Sequence, residues 1–85
     1  MENGVKIKVH FYSYFKDLTA CSDIVEDILP GETVGELVDR LSERFSKFGA
    51  MKKSALIAVG VEYQTRAYKL KEGDEVSFFP PVQGG

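Results

Sequence analysis

The chain has one cysteine (Cys21), one histidine (His10) and no tryptophan among its 85 residues. A lone cysteine excludes an internal disulfide and leaves too few thiolates for a structural zinc site. One His and one Cys also leave out most nucleophile–base pairs on which side-chain catalysis depends. Charge of one sign is lacking too: 11 Lys and Arg oppose 13 Asp and Glu, a net charge of −2. A general phosphate-backbone binder needs a concentrated basic surface, so no nucleic-acid partner is expected. No apolar run approaches the roughly 20 residues of a membrane span, and no membrane partner is expected. The opening Met1-Glu2-Asn3-Gly4-Val5 carries neither the basic nor the apolar region of a secretory signal. Together these absences point to a small soluble protein of a reducing compartment, with a cytoplasmic location expected. They also point to a chain that is not catalytic alone, with no resident metal or cofactor.

What the chain does have is aromatic mass: six Phe and four Tyr, which bring large apolar areas to a thin core. The length fits one domain over residues 1–85. Val5, Ile7, Val9 and Phe11 alternate with Lys6, Lys8, His10 and Tyr12, the period of a half-buried strand over 5–12. One helical turn is expected around Phe15–Leu18. Residues 23–29 read as a second strand with an uneven pattern: Glu26 shares a face with Ile24 and Ile28, while Val25 and Leu29 share the other with Asp27. Either a bulge or a poorly covered edge position accounts for this.

Thr33 and Glu36 form a capping box at the start of the clearest helix. Val34, Leu37, Val38, Leu41, Phe45 and Phe48 follow at three- and four-residue spacing, which predicts one long helix over about 34–47 with Gly49 as its stop. Leu56–Val59 reads as a third strand ended by Gly60, Glu62–Arg66 as a short fourth, and Glu75–Phe79 as the last. The first and last strands are the most apolar and belong at the centre of the sheet, with 23–29 peripheral. The order describes an α+β fold, a mixed sheet of about five strands covered by one helix. That is the β-grasp, or ubiquitin-like, arrangement.

The chemical feature is the tail, residues 80–85 (PPVQGG). Pro80 and Pro81 cannot extend a strand and hold φ at about −65°, so the backbone should leave the sheet stiff and extended. Val82 and Gln83 continue it, and Gly84 and Gly85 are thin enough to thread a narrow channel. The group delivered is the Gly85 carboxylate, a poor acyl donor that needs activation, as by formation of an acyl-adenylate. A frayed terminus is the plain alternative, but two glycines directly after Pro-Pro and an apolar strand form a more specific pattern. If Val76 and Phe78 face the core, Phe79 falls on the opposite face with Tyr12. An exposed Phe79 beside the tail then reads as the anchor of a partner surface, which Tyr63 could join. The competing reading is that both faces of a central strand are partly covered there.

The ending GDEVSFFPPVQGG (Gly73–Gly85) resembles that of the molybdopterin synthase small subunit family, whose members finish on a turn, an apolar strand and Pro-Pro-Val-X-Gly-Gly. VKIKVHFYSYFKDL (Val5–Leu18), ETVGELVDRLSERF (Glu32–Phe45) and LIAVG (Leu56–Gly60) resemble its opening strand, helix and third strand. Lys16-Asp17 stands where the family usually has Arg-Glu, and Gly60 where it often has Asn. The resemblance implies a sulfur carrier. A ubiquitin-activating-type enzyme would use ATP to adenylate Gly85, and a persulfide sulfur donor would convert it to a thiocarboxylate. The large subunit would accept the tail, and the sulfur would pass to a cyclic pyranopterin phosphate to build the molybdopterin dithiolene. The family also implies a heterotetramer. Alternatives are a sulfur carrier for thiamine or cysteine synthesis and a ubiquitin-like protein modifier.

Cys21 reads as a small apolar filler, without a flanking base or cationic cluster to activate it. His10 reads as a surface residue rather than a general base or ligand, and one that could touch a partner. Lys6, Lys8, Lys52 and Lys53 read as solvated positions.

Overall fold

The computed structural model describes residues 4–80. The alternating stretch at the start forms β1 (Val5–Phe11), with Ile7, Val9 and Phe11 buried. A short helix α1 (Tyr14–Thr19) leads to β2 (Asp23–Ile28), which pairs antiparallel with β1. Helix α2 (Val34–Arg44) and helix α3 (Ser46–Met51) follow, then one 3-10 turn at Lys52–Ser54. The chain ends in β3 (Leu56–Val59), the two-residue β4 (Glu62–Tyr63) and β5 (Glu75–Phe79). The sheet order is β2-β1-β5-β3-β4, mixed because β1 and β5 run parallel and the other pairs antiparallel. The expected α+β sheet-and-helix fold is therefore present, with β1 and β5 inside the sheet and β2 at its edge.

The regular β1–β2 register decides the pattern of residues 23–29 in favour of the edge position. Ile24, Glu26 and Ile28 lie opposite Val9, Ile7 and Val5 on the core side. Glu26 is tolerated there because Arg44, in the last turn of α2, reaches it with an Nη1–Oε1 bond of 2.7 Å.

The capping box forms as the sequence predicts: the Glu36 amide donates to Thr33 Oγ1 at 3.2 Å, and the Thr33 amide donates to Glu36 Oε1 at 2.9 Å. Val34, Leu37, Val38 and Leu41 are buried against the sheet. The single long helix is not observed. At Phe45 the backbone turns to φ −122° and ψ 92°, and α3 starts in a new direction. Phe45 and Phe48 still reach the core, so one apolar stripe serves two helices. Gly49, expected as a stop, instead lies inside α3 where the helices touch. A Cβ there would sit 3.2 Å from the Ser42 Cβ and 3.3 Å from its carbonyl oxygen, closer than ordinary packing. The fourth strand is also shorter than the expected 62–66, because Gln64 onward turns back toward α2.

Below the sheet, Phe11 stacks on Phe78 at 5.8 Å, and Phe48 meets Phe11, Phe15 and Phe78 edge-on at 5.7, 5.4 and 5.3 Å. Such pairs add about 0.5–1.5 kcal/mol each beyond their buried area. Gly60 has φ 64°, a left-handed conformation in which asparagine is also tolerated. The Gly-for-Asn departure from the family pattern thus meets the same backbone requirement.

The β2–α2 connection is held by a buried carboxylate. Glu32 accepts from Arg40 Nη2 at 2.7 Å, from Arg40 Nε at 3.1 Å and from the Leu29 amide at 2.9 Å. Burial pushes its carboxyl up, and the Arg40 fork with the Leu29 amide outweighs that, leaving it below the usual carboxylate value. The stabilisation is therefore present above the unfolded Glu value and lost as pH falls through the lower folded value. Arg40→Met keeps the aliphatic stem and strands the Glu32 charge at 5% exposure. Chemical denaturation should show a loss of about 2 kcal/mol at neutral pH, and the loss should shrink in acid as Glu32 protonates.

Candidate functional site

The face of the sheet opposite the helices is built by strand register. Phe11 and Phe78 are paired and core-facing, so the next residue on each strand, Tyr12 and Phe79, turns to the outer face. Their rings stack at 4.7 Å with 9° between planes. Tyr12 is 42% exposed, while Phe79 is half-buried under it rather than fully exposed as its position in the sequence suggests. Leu56 lies opposite Phe79 on β3 and extends the apolar row.

A tight turn fixes Tyr12. Its amide donates to the Phe78 carbonyl at 3.2 Å, and its carbonyl accepts from the Phe15 amide at 3.0 Å. Between them Ser13 sits at φ 52° and ψ −126°, a region that glycine prefers. The strained turn sends the chain into α1 and leaves the Tyr12 ring on Phe79.

The next row across the sheet is Asp23, His10, Ser77, Ala58 and Tyr63. Tyr63 is therefore on the same outer face as Tyr12 and Phe79, 71% exposed. It stands two strands from β5, about 10 Å at sheet spacing, and makes no ring contact with the stacked pair. The structure thus joins Tyr12 with Phe79 and leaves Tyr63 apart. Pro80 is half-buried at the end of β5, and Pro81, Val82, Gln83, Gly84 and Gly85 lie outside the described residues.

His10 is more than a solvated surface residue. Its Nδ1 is 2.6 Å from Asp23 Oδ1 on β2, and its Nε2 is 3.1 Å from Glu75 Oε1 on β5. A neutral ring donates from only one nitrogen, so both contacts are satisfied only by the imidazolium. The Asp23 hydrogen bond raises the His10 pKa most; burial opposes it, and the Glu75 bond adds to the rise. Local patterning misses this clamp because its members are 13 and 65 residues apart. The available signal is an acidic residue opening each of the strands that flank β1. The carboxylates face opposite ring nitrogens and cannot converge on one ion, and no metal-binding group of three occurs among the described residues. Cys21 is half-buried against the core.

A carboxylate-clamped His thus lies beside an aromatic stack on the open face of a β-grasp sheet. The fold defines the class, a ubiquitin-like protein. The ThiS family pattern matches residues 9–85, and the chain belongs to that family. It is similar to the molybdopterin synthase sulfur carrier subunit of Arabidopsis thaliana, 26% identical over 83 residues that cover 98% of this chain and 86% of the relative. Among solved structures it resembles a Pyrococcus furiosus protein described as molybdopterin converting factor, subunit 1. The TM-score is 0.84 at 29% identity, over 92% of this chain and 99% of that one. It also shares its fold with a chain of the complex of subunits 1 and 2 of molybdopterin-converting factor from Helicobacter pylori. There the TM-score is 0.70 at 21% identity, over 95% and 100% of the two chains. No helix among the described residues is long and apolar enough to cross a membrane.

The clamp has a thermodynamic signature in the isolated chain. A raised folded pKa means that its stabilisation is complete below the unfolded His value and is lost as pH rises through the folded value. The thermal midpoint should therefore fall as pH rises above the unfolded His value, and His10→Gln should remove that part of the slope. An equal slope in both proteins would show that His10 is not held by the two carboxylates.

Proposed function

We propose that this chain is the sulfur-carrying small subunit of a molybdopterin synthase, with Gly85 as its reactive end. The observation that carries the reading is that the family match runs through Gly84 and Gly85, in a chain whose curated relatives are named as sulfur carrier subunits. The described side chains are consistent with it, because their most elaborate arrangement serves contact rather than bond-making.

On this reading the Gly85 carboxylate attacks the α-phosphorus of ATP on a ubiquitin-activating-type enzyme, releasing pyrophosphate. A persulfide sulfur displaces AMP from the acyl-adenylate to give an acyl disulfide; a thiol then attacks the donor-side sulfur, forming a disulfide with the donor and releasing the thiocarboxylate. The large subunit then receives the tail, and the thiocarboxylate sulfur attacks a cyclic pyranopterin phosphate; hydrolysis of the resulting thioester leaves that sulfur on the pterin and returns Gly85 as its carboxylate, and a second charged chain supplies the other sulfur of the molybdopterin dithiolene. The small subunit brings the nucleophile, and the partner brings the acid–base and phosphate-binding groups. Tyr12 and Phe79 hold the partner, with Tyr63 as an outlying contact on the same face. Extended, residues 80–85 span on the order of 20 Å, enough to place Gly85 well inside a neighbouring subunit. A large-subunit partner is in keeping with the Helicobacter pylori complex of subunits 1 and 2, one chain of which has this fold.

Incubation with the adenylating enzyme, ATP and a persulfide donor, followed by intact-mass measurement, should show one oxygen-for-sulfur exchange that disappears when Gly85 is deleted. No exchange under conditions that charge a known carrier would exclude sulfur carriage, and isopeptide conjugates through Gly85 would favour a modifier. Charged protein mixed with the large subunit and the pyranopterin precursor should yield molybdopterin; failure there points to thiamine or cysteine synthesis.

Phe79→Ala should weaken the small–large subunit complex at least tenfold, a loss of about 1.4 kcal/mol, with little change in melting temperature. A large drop in melting temperature would place Phe79 in the core instead.

A further inference from the structure

The clamp and the aromatic stack form one continuous surface. The His10 ring centroid is 6.4 Å from that of Tyr12, which in turn lies 4.7 Å from Phe79. A partner flat enough to cover the pair therefore meets the imidazole and its carboxylates too. We propose that the surface which docks on Tyr12 and Phe79 is apolar and uncharged, that it also covers His10, Asp23 and Glu75, and that docking is coupled to keeping a proton on His10. This rests on the reading of the outer face as the large-subunit docking surface.

Charge balance under desolvation couples docking to the proton. The charged groups facing His10 are Asp23 from β2, Glu75 from β5 and Lys8 from β1, with the uncharged Tyr12 beside it. Asp27 on β2 is engaged by Lys6 at 2.9 Å, and the Asp74 carboxylate accepts from the Lys71 amide at 2.9 Å. The helices lie on the other side of the sheet. With His10 protonated, Lys8 and His10 balance Asp23 and Glu75, and the group is neutral as a whole. Without the proton it carries one uncompensated negative charge, and a carboxylate oxygen faces a ring lone pair. In water that charge is screened; under an apolar surface it is not, and burying it is costly. The bound state therefore holds the proton more tightly than the free state does. By linkage, affinity must fall as pH rises from the free-state to the bound-state pKa of His10, by tenfold for each unit that separates them. A partner that brought a lysine or arginine to Asp23 and Glu75 would reverse the slope, because it would compete with the imidazolium.

The test is calorimetric titration of the full chain with its large subunit from about pH 6 to about pH 9, beside NMR titration of the His10 imidazole in the free chain and in the complex. The expected result is about tenfold weaker binding at the alkaline end, a higher His10 pKa in the complex and a flattened profile for His10→Gln. A flat wild-type profile, with Tyr12→Ala still abolishing binding, overturns the proton coupling and leaves the docking surface standing. Affinity that rises with pH overturns it as well and identifies a cation-supplying partner. No binding at any pH overturns the docking surface and the coupling together. If His10→Gln does not fold, the wild-type imidazole decides alone, and an unchanged pKa on docking overturns the proposal.

Discussion

The parallel register of β1 against β5 is the constraint from which both faces of the sheet follow. Pairing Phe11 with Phe78 brings two rings together on the core side, where Phe48 closes over them. Because side chains alternate, the same register must bring Tyr12 and Phe79 together on the outside. It also places Glu75 within reach of His10. A slip of one residue would turn Phe78 to solvent and Phe79 to the core, so the register that buries the core cannot be separated from the one that builds the outer aromatic stack. Loop closure between these strands spans most of the chain, and it is repaid by this aromatic cluster.

Two ionic arrangements sit on opposite sides of that sheet and do different things. Glu32 is buried at one end beneath a partly exposed Arg40, so removal of the arginine strands a buried carboxylate at the β2–α2 connection. It ties the β2–α2 connection to the helix, and Arg44 on Glu26 ties the last turn of that helix to the edge strand. The His10 clamp is nearer water: Asp23 and Glu75 are 67% and 55% exposed. Solvent screening limits what such contacts add to folding. Their influence would grow wherever water is removed from that face.

Much of the fold is legible in the sequence because its signals are local. The alternation of Val5–Phe11, the Thr33–Glu36 box and the apolar run before Gly60 each specify one element. The break at Phe45 is not legible, because the helical spacing of Leu41, Phe45 and Phe48 continues through it and both helices share one core. Gly49 misleads for a related reason: a glycine chosen for close helix contact looks in sequence like a glycine chosen to end a helix. The outer face is half legible. Period-2 reasoning puts Tyr12 and Phe79 on one side, but their stacking, the separation of Tyr63 and the His10 clamp all depend on which strands become neighbours. That is a long-range property, and no window of sequence carries it.

The scarcity of nucleophile–base pairs among the side chains fits a chain whose function lies in delivery. If the reacting group is the Gly85 carboxylate, what the folded domain must supply is position. Phe79 is the last residue of β5, and Pro80 follows it directly. A partner gripping the stacked pair therefore holds the chain one residue before the tail begins, and six residues from there set a reach of roughly 20 Å. Loosening that grip would leave Gly85 chemically intact but enlarge the volume it searches, and effective concentration at the partner's site would fall accordingly. Strain at Ser13 costs stability locally while the turn it forms leaves the Tyr12 ring on Phe79, the last residue before the tail.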